Sequence, residues 1–383
     1  MTFNGLLNGS GDRDFGSQVS NNSGIIGNLR APVLSTHQLL VPKVDAIGND
    51  LAGIRHPFVD VPTATLAGWS LRRPEFTNGD LCDAVGMMIP LRRTLAERTA
   101  AGDSRPSLQE LYTDQAGYIA KITASAQKLM AAGFLLQADV DATIQTASGV
   151  PVLPANGIAD GVGFTVNDLA PGSIVSIFGT GLAGAVLQAP ATNGLPTALF
   201  DAGVTFNNIP APLYYVSPAQ IDAQVPLELT PGPVTVEVRR NLAVSASQVL
   251  NLLPAAPAIL SVNQQGTGAG LVFHAADSSL VTTSTPAKAG ETVLIYCTGL
   301  GTFKSALKSG QLPPNPPPDT VNTPQVTIGG VTVTVTLSTA APGYVGLYQV
   351  GVQVPANSQT GNAVAVTVAV GGATSKAVTI AVQ

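Results

Sequence analysis

The larger part of this sequence contains two copies of one unit. The copies share three blocks in the same order: residues 171–182 match 289–300, residues 220–226 match 349–355, and residues 232–238 match 361–367. Three ordered matches indicate that one kind of domain is formed twice along the chain. Each copy spans about 100 residues, which is the size of one compact domain.

The strands of this unit are indicated by alternation of apolar and polar residues. Residues 331–337 and 363–370 alternate with little interruption, as half-buried strands do, and each run predicts one strand. Similar runs recur with Gly and Pro turns between them, in a sequence with 40 Gly and 29 Pro. No amphipathic helix of useful length intervenes. The sequence therefore predicts a mainly β fold with two tandem immunoglobulin-like β-sandwiches.

Charge divides the chain near residue 150. Residues 1–150 hold 12 Lys or Arg and 14 Asp or Glu, whereas the longer remainder holds only 6 and 9. The sequence around this point is rich in Gly and Pro, which is typical of a linker. We therefore predict a partly helical segment at 1–150, a linker at 151–163, and sandwiches at 164–256 and 257–383.

Helical periodicity is found in residues 92–146. Thr113 is predicted to cap a helix whose apolar residues recur every three or four positions and which Gly133 ends. A second helix is predicted over 139–146. Residues 107–110 have the Ser-x-x-Glu spacing of a capping box and predict a short helix.

Composition excludes several classes of partner. Only 11% of the residues are charged, the formal net charge is −5, and Lys and Arg form no runs. These features argue against nucleic acid or an anionic membrane surface. No apolar run approaches the roughly 18 residues of a membrane span. Cys82 and Cys297 are too few for a disulfide framework, and Cys297 is predicted to be a semi-buried thiol. The predicted partner is a protein or a glycan ligand, and the oligomeric state stays open.

One motif suggests a cofactor. Residues 179–184 satisfy G-x-G-x-x-G after an apolar strand, which is the pattern of a dinucleotide site. Such a site requires a helix next, because the helix N-terminus holds the pyrophosphate, but residues 187–196 contain two prolines and cannot form it. The second copy lacks the motif at 297–302. We therefore predict turn glycines with positive φ, and no cofactor.

No catalytic or metal-binding set is apparent. An acyl-transfer enzyme of the serine type needs a Gly-x-Ser-x-Gly elbow, which does not occur; Ser10 comes closest. His37, His56 and His274 are predicted to be structural or surface residues, although a spatial triad with His37 or His56 stays open. Residues 45–50 resemble a calcium loop, but an apolar residue stands where an oxygen ligand belongs, and a β-turn is favoured. No catalytic, cofactor or metal residue is predicted.

Three further features favour structural roles. Tyr214 and Tyr215 would suit sugar or protein contact as an exposed pair, but one of two consecutive strand residues normally faces the core. Residues 313–318 are rich in proline and are predicted to be a stiff connector instead of a docking ligand. The arginine pairs at 72–73 and 92–93 are expected to form surface ion pairs.

The repeated part resembles a known family. The residues that carry the resemblance are LAPGSIVSIFGTGL at 169–182, IPAPL at 209–213, YVSPAQIDAQVP at 215–226 and GLYQVGVQVP at 346–355. They are similar to the immunoglobulin-like C-terminal module that is abundant in Acidobacteria such as Solibacter. The resemblance extends over about 165–383 and implies an extracytoplasmic accessory region with no established activity or ligand.

The first part resembles a second family. The matching residues are LVPKVD at 40–45, GNDLAGIR at 48–55, VP at 61–62 with TLAGW at 65–69, and GDSRPSLQE at 102–110. They are similar to the C-terminal end of a bacterial alpha/beta hydrolase domain family, over about 35–147. The resemblance implies an esterase-like serine hydrolase, and residues 1–150 would be an incomplete segment of one. In that family the nucleophile and the catalytic His precede the matched region, so no position here inherits a catalytic role.

These observations predict a non-catalytic structural or binding region of an exported or cell-surface bacterial protein, with the sandwiches as spacers or adhesion units. The alternative is the C-terminal part of a serine alpha/beta hydrolase whose catalytic half lies upstream of Met1. An extracytoplasmic location rests on the family resemblance, because residues 1–20 lack the basic and apolar regions of a signal peptide.

Overall fold

The computed structural model describes residues 11–13, 33–36, 43–68, 70, 86–166, 168–190 and 194–383, and for 11–13 and 33–36 it describes the backbone alone. The chain forms two compact units, Met1–Gly149 and Val150–Gln383. Within the described ranges, no helix is both long and apolar enough to cross a membrane.

In its described residues, the first unit contains two pairs of antiparallel strands and five helices. Its strands are β1 Gly11–Arg13, β2 Val33–Thr36, β3 Ala64–Ala67 and β4 Met87–Pro90, paired as β1-β2 and β3-β4. Its helices are α1 Pro57–Asp60, α2 Leu95–Ala100, α3 Leu108–Tyr112, α4 Gln115–Ala131 and α5 Gln137–Ser148. The buried side chains of Tyr112, Ile122 and Val140 pack these helices together, and the Tyr112 hydroxyl donates to the Pro62 carbonyl at 2.7 Å.

One predicted helix start is wrong by one residue. Asp114, not Thr113, caps α4, because its side chain accepts the Gly117 N–H at 2.8 Å. Thr113 instead ends α3 with a φ of 66°. The predicted capping box at Ser107 is present at the start of α3, and α5 extends beyond the predicted 139–146 at both ends.

The second unit contains two β-sandwiches, which confirms the predicted fold class: a mainly β chain with a partly helical segment first. The strands of the first sandwich are β5 Ile158–Asp160, β6 Ile174–Phe178, β7 Leu187–Gln188, β8 Ala202–Phe206, β9 Ile209–Pro210, β10 Leu213–Val216, β11 Gln220–Gln224, β12 Gly232–Arg240, β13 Ala243–Val244 and β14 Gln248–Leu252. One sheet has the order β5-β6-β11-β10-β7, and the other has the order β13-β12-β8-β9 with β14 beside β12. Their facing side chains form one buried core.

The second sandwich repeats this plan. Its strands are β15 Ala258–Ile259, β16 Gly268–Ala269, β17 Val272–His274, β18 Thr292–Thr298, β19 Gln325–Ile328, β20 Val331–Val333, β21 Val335–Ala340, β22 Tyr348–Gln353, β23 Gly361–Val370, β24 Ala373–Thr374 and β25 Val378–Val382. One sheet has the order β15-β18-β22-β21 with β17 beside β18, and the other has the order β16-β25-β23-β19-β20 with β24 beside β23. A second apolar core lies between them.

Aligned residues of the two copies pair in the same register. Val175 and Ile177 of β6 face Ala223 and Ile221 of β11. At the matching positions of the second sandwich, β18 and β22 pair Val293 with Val352 and Ile295 with Val350. The first two sequence blocks therefore occupy equivalent places in the two sandwiches.

The third block is displaced by one residue relative to the sequence match. The Val238 N–H donates to the Ser245 hydroxyl at 3.0 Å, and the Val368 N–H donates to the Ser375 hydroxyl at 3.0 Å. Val238 is thus equivalent to Val368, although the sequence match places it at Thr367. An irregularity between Gly361 and Val364 adds the extra residue, because a bulge changes which residues face the core.

Two further expectations differ from the structure. Residues 331–337 do not form one strand: β20 pairs with β19 in one sheet, and β21 pairs with β22 in the other, so the chain changes sheets at Thr334. Residues 151–163 do not form a free linker either, since Val152 bridges Thr180 and β5 pairs with β6. These backbone groups are satisfied by the first sandwich and belong to it.

The two sandwiches are joined by direct hydrogen bonds. The Tyr214 hydroxyl donates to the Val345 carbonyl at 2.8 Å. Thr298 Oγ1 accepts the Ile174 N–H at 3.1 Å and donates to the Gly346 carbonyl at 2.9 Å. Further bonds run from Gly310 N to Gln224 Oε1 at 2.7 Å, from Leu227 N to Ser309 Oγ at 2.7 Å, and from Lys376 Nζ to the Gly163 carbonyl at 2.7 Å.

Candidate ligand-binding surface

Three aromatic rings meet on the outer face of the β15-β18-β22-β21 sheet. The ring centroids of Phe273 and Tyr296 lie 5.3 Å apart at 82°, and those of Tyr296 and Tyr344 lie 6.4 Å apart at 78°. Both are edge-to-face arrangements, which aromatic pairs favour. We call Phe273, Tyr296 and Tyr344 the aromatic surface.

Strand alternation explains why these rings face outward. In β18, Val293, Ile295 and Cys297 are buried in the core, whereas Leu294 and Tyr296 are only partly buried, because successive strand residues point to opposite faces. The β17 strand brings the Phe273 ring to the same face through its pairing with Leu294.

The third ring is placed by a turn. Tyr344 follows Gly343, which has a φ of 80°, and its N–H donates to the Ala341 carbonyl at 3.2 Å. The Tyr344 side chain is 56% exposed, so the aromatic surface has one strongly exposed ring beside two partly buried ones.

Polar groups border the rings. The Gln349 amide donates to the Tyr296 hydroxyl at 3.4 Å, and Thr339 lies directly across from Gln349 in the sheet. Thr339 is 3% exposed, and its hydroxyl has no hydrogen-bond partner in the described part of the chain. Burial, and then the neighbouring Tyr344, raise the pKa of Tyr296 above its ordinary value, so its phenol remains neutral.

The outer face of these strands carries no charge. The outward residues of β18, β22 and β21 are Thr292, Leu294, Tyr296, Gln349, Gly351, Gln353, Leu337 and Thr339, all of them neutral. Gly351 leaves the middle of the face without a side chain, and a Cβ there would lie 3.0 Å from the Leu337 Cβ.

His274, which follows Phe273 in β17, is held by two oxygens. Its Nδ1 lies 2.5 Å from Glu291 Oε1, and its Nε2 lies 3.0 Å from the Thr285 carbonyl oxygen. Because both partners are acceptors, the ring makes both bonds only when both nitrogens carry protons. Burial lowers the pKa of His274, but the hydrogen bonds to Thr285 and Glu291 outweigh it, and the pKa lies above its ordinary value.

The other histidines are placed apart from it. His56 precedes α1, where its Nδ1 faces the Phe58 N–H at 3.4 Å, and its ring lies 5.5 Å from the Phe58 ring. His37, like Ser10, Cys82 and the arginine pair at 72–73, lies outside the described residues. The structure brings no nucleophile or acid to His56 in the described part of the chain.

Residues 45–50 form a turn, which is the interpretation that the sequence favoured. Asp45 Oδ1 accepts the Ile47 N–H at 2.9 Å and the Asn49 N–H at 3.0 Å, and Oδ2 lies 2.8 Å from Arg55 Nη2. This carboxylate is thus occupied by protein donors. Nowhere in the described ranges do three or more His, Cys, Asp or Glu side chains cluster as metal ligands.

Polar residues of the hydrolase-like motifs have structural partners. The buried Asn49 amide donates to the Ala64 carbonyl at 3.1 Å and accepts the Leu66 N–H at 2.6 Å. Arg105 lies 2.6 Å from the Asp103 carboxylate and donates to the Ile89 carbonyl at 2.9 Å. The hydrogen bond from Arg105 lowers the pKa of Asp103 to about 2. These motif residues tie loops to the β3-β4 hairpin.

The glycines of the dinucleotide-like motif do not precede a helix. β7 begins at Leu187, and the residues between β6 and β7 form bends and one bridge, between Thr180 and Val152. Gly181 has the predicted positive φ, at 65°, but Gly179 and Gly184 do not. Gly179 is instead required by packing, because a Cβ there would overlap the Val152 carbonyl oxygen.

Three other side chains differ from expectation. Cys297 is fully buried, not semi-buried, and burial raises the pKa of its thiol. Neither Tyr214 nor Tyr215 joins the core: Tyr214 binds the second sandwich through Val345, and both are partly exposed. Arg93 forms the expected surface pair, 3.1 Å from Glu97.

The aromatic surface is not among the features that the sequence predicts. One signal was available, since Tyr296 aligns with Phe178 in the first copy, and both are outward aromatic residues of their strands. Phe178 also has an aromatic neighbour, Phe164, with ring centroids 6.1 Å apart. Each sandwich thus carries an aromatic contact at the same place.

Comparison with known proteins gives one family match. The family model of an alpha/beta hydrolase domain matches residues 22–145, which is less than half of the chain and coincides with the first unit. No curated protein sequence matches the chain.

Several solved structures resemble the chain weakly. The Bacteroides ovatus mixed-linkage glucan utilization locus protein SGBP-B, in complex with a mixed-linkage heptasaccharide, is 13% identical, covers 57% of this chain and 44% of its own, and has a TM-score of 0.24. The I9-I11 tandem of titin is 10% identical, covers 61% and 64%, and has a TM-score of 0.18. Domains 5-6 of the S-layer protein SbsC are 14% identical, cover 61% and 98%, and have a TM-score of 0.20. The chain thus spans less than two thirds of the first two.

Proposed function

We propose that this chain is a non-catalytic structural and binding region of an exported or cell-surface bacterial protein. Val150–Gln383 acts as a stiff spacer that carries a ligand-binding surface. The two sandwiches are tandem copies of one unit, related to the immunoglobulin-like module of Acidobacteria, and an extracytoplasmic place follows from that resemblance.

The hydrogen-bonded junction between the sandwiches carries this proposal. Tyr214 and Thr298 contribute side-chain bonds across the junction, and burial raises the pKa of the Tyr214 phenol, which keeps it a donor. Domains joined only by a linker move independently by default. Several direct bonds, each costly to leave unmade once buried, favour one fixed orientation, and a spacer needs that property.

Distances between spin labels in the two sandwiches test the stiffness of the junction between them. We expect the full chain with Cys82→Ser, Val249→Cys and Val321→Cys to give one narrow distance distribution, because both valines are exposed, at 73% and 50%, and lie in different sandwiches. The control pair is Val262→Cys with Val321→Cys, both within the second sandwich. Cys297 is fully buried and stays unlabelled. A distribution much broader than that of the control pair would show a flexible joint and contradict the spacer.

The family match at residues 22–145 supports one alternative. In that alternative the chain is part of a serine alpha/beta hydrolase, with its nucleophile supplied by sequence outside this chain. The first unit would then complete the hydrolase fold, and the sandwiches would be accessory domains.

Ester hydrolysis tests whether this chain is catalytic by itself. We expect the purified full chain to release no p-nitrophenol from short-chain p-nitrophenyl esters above the rate of heat-denatured protein. The physical reason is that His56 has neither a nucleophile nor an acid beside it in the described chain. Turnover that a serine-directed phosphonate abolishes would reject the non-catalytic function and favour the hydrolase.

A further inference from the structure

We propose that the aromatic surface binds a neutral oligosaccharide. This inference rests on the proposed function, because it names the class of ligand that the spacer carries. It goes further in assigning the site to Phe273, Tyr296 and Tyr344 and in excluding charged ligands.

The ring geometry supports a sugar ligand. The Tyr296 and Tyr344 rings meet at 78° with centroids 6.4 Å apart, so they form the two sides of a corner. The negative face of an aromatic ring attracts the weakly positive C–H groups on one side of a pyranose. A corner of two rings can contact a sugar on one face and on one edge.

The polar groups beside the rings match sugar hydroxyls. Tyr344 is 56% exposed, and its phenol can both donate a hydrogen bond to a sugar hydroxyl and accept one from it. The Gln349 amide reaches the Tyr296 hydroxyl over a long 3.4 Å, so a better acceptor could take its place. Sites of this kind combine an apolar surface with a few polar groups that fix orientation.

Charge selects against acidic glycans and charged peptides. The outward residues of β18, β22 and β21 are all neutral. The charged side chains at the borders of these strands are paired: Asp319, which lies across from Thr339, is 3.4 Å from Lys304, and Glu291, next to Thr292, is 2.5 Å from His274. A carboxylate or ammonium group placed on this face would lose water without gaining a partner, which is costly.

Substitution of the exposed Tyr344 tests whether the aromatic surface binds a sugar. We expect the full chain to bind at least one of cellohexaose, laminarihexaose and mannohexaose in isothermal titration calorimetry, and to bind an oligogalacturonate of the same length more weakly. Tyr344→Ala should weaken that binding about tenfold, the equivalent of one lost aromatic contact. Tyr344→Phe keeps the ring and should retain most of the affinity.

The matched control is Phe134→Ala. Phe134 is 55% exposed, almost the same as Tyr344, but lies in the first unit, so its loss should leave the affinity unchanged. Circular dichroism of each variant checks that the fold is kept.

Three results would overturn the inference. They are no binding to any of the three neutral sugars, affinity that survives Tyr344→Ala, or tighter binding to the oligogalacturonate. A dimer in sedimentation velocity that Tyr344→Ala dissolves would assign the surface to a second copy and overturn it equally. These failures leave the spacer intact, whereas phosphonate-sensitive ester turnover or a flexible joint rejects the proposed function itself.

Discussion

Replacing Gly299 by alanine is expected to lower the free energy of unfolding of the second sandwich by about 4 kcal/mol, whereas Gly181→Ala should cost about 1 kcal/mol. The two glycines occupy equivalent places in the two copies, and both have a positive φ, of 78° and 65°. An alanine at either position is therefore destabilised, because its Cβ disfavours the left-handed conformation.

Only Gly299 adds a steric cost. A Cβ at Gly299 would overlap the Ala256 carbonyl oxygen, whereas a Cβ at Gly181 has the Val150 carbonyl oxygen at 3.7 Å. The Ala256 N–H also donates to the Gly299 carbonyl at 2.8 Å, so neither segment can move away without losing that bond. The strain then spreads into β15 and β18, which pair beside it.

Differential scanning calorimetry of the full chain measures both variants. We expect Gly299→Ala to shift one transition far downward or to abolish it, and Gly181→Ala to shift a transition by a few degrees. Equal shifts would show that the left-handed conformation alone matters and that the close approach at Ala256 relaxes freely.

Stability of the second sandwich is expected to fall as the pH rises above about 6.5, by about 1 kcal/mol in total. His274 has a raised pKa in the folded chain, so the folded state holds this proton more tightly than the unfolded state does. The contribution is fully present below the unfolded pKa and is lost as the pH passes through the folded one. Loss of the proton leaves the Glu291 or Thr285 oxygen without its donor, and partial exposure reduces the cost.

The free energy of unfolding, measured by chemical denaturation between pH 5.5 and 9, tests this decline in stability. His274→Gln is the control, because glutamine can donate to one oxygen but does not titrate in this range. We expect the variant to be less stable than the parent at pH 5.5 and to show a smaller decline above pH 6.5. Parallel curves for the two proteins would assign the decline to other groups.

In the first sandwich, a different residue type stands at the position that His274 occupies in the second. Asp160 occupies the place of His274, since it pairs with Val175 as His274 pairs with Val293. Its carboxylate accepts the N–H groups of Gly163 and Thr165, both at 2.6 Å. The backbone is equivalent, but no residue identity marks the equivalence, so comparison of the sequences could not find this part of the repeat.

The sequence by itself determined the strands that lie in the middle of each sheet. Val364, Val366 and Val368 alternate with more exposed residues in β23, as their spacing predicts, because a half-buried strand needs a period of two. The repeated blocks likewise form β6 and β18 in the same register. These features depend on side-chain pattern within a few residues, which a sequence displays directly.

Only the tertiary structure decided which sheet each strand joins and which distant side chains it contacts. Alternation shows which side of residues 331–337 is apolar, but not that the chain leaves one sheet for the other at Thr334. The aromatic surface takes Phe273, Tyr296 and Tyr344 from two strands and a turn that are far apart in sequence. The physical reason is that strand pairing and ring contacts join distant residues, and their energies depend on the partner that the fold brings near.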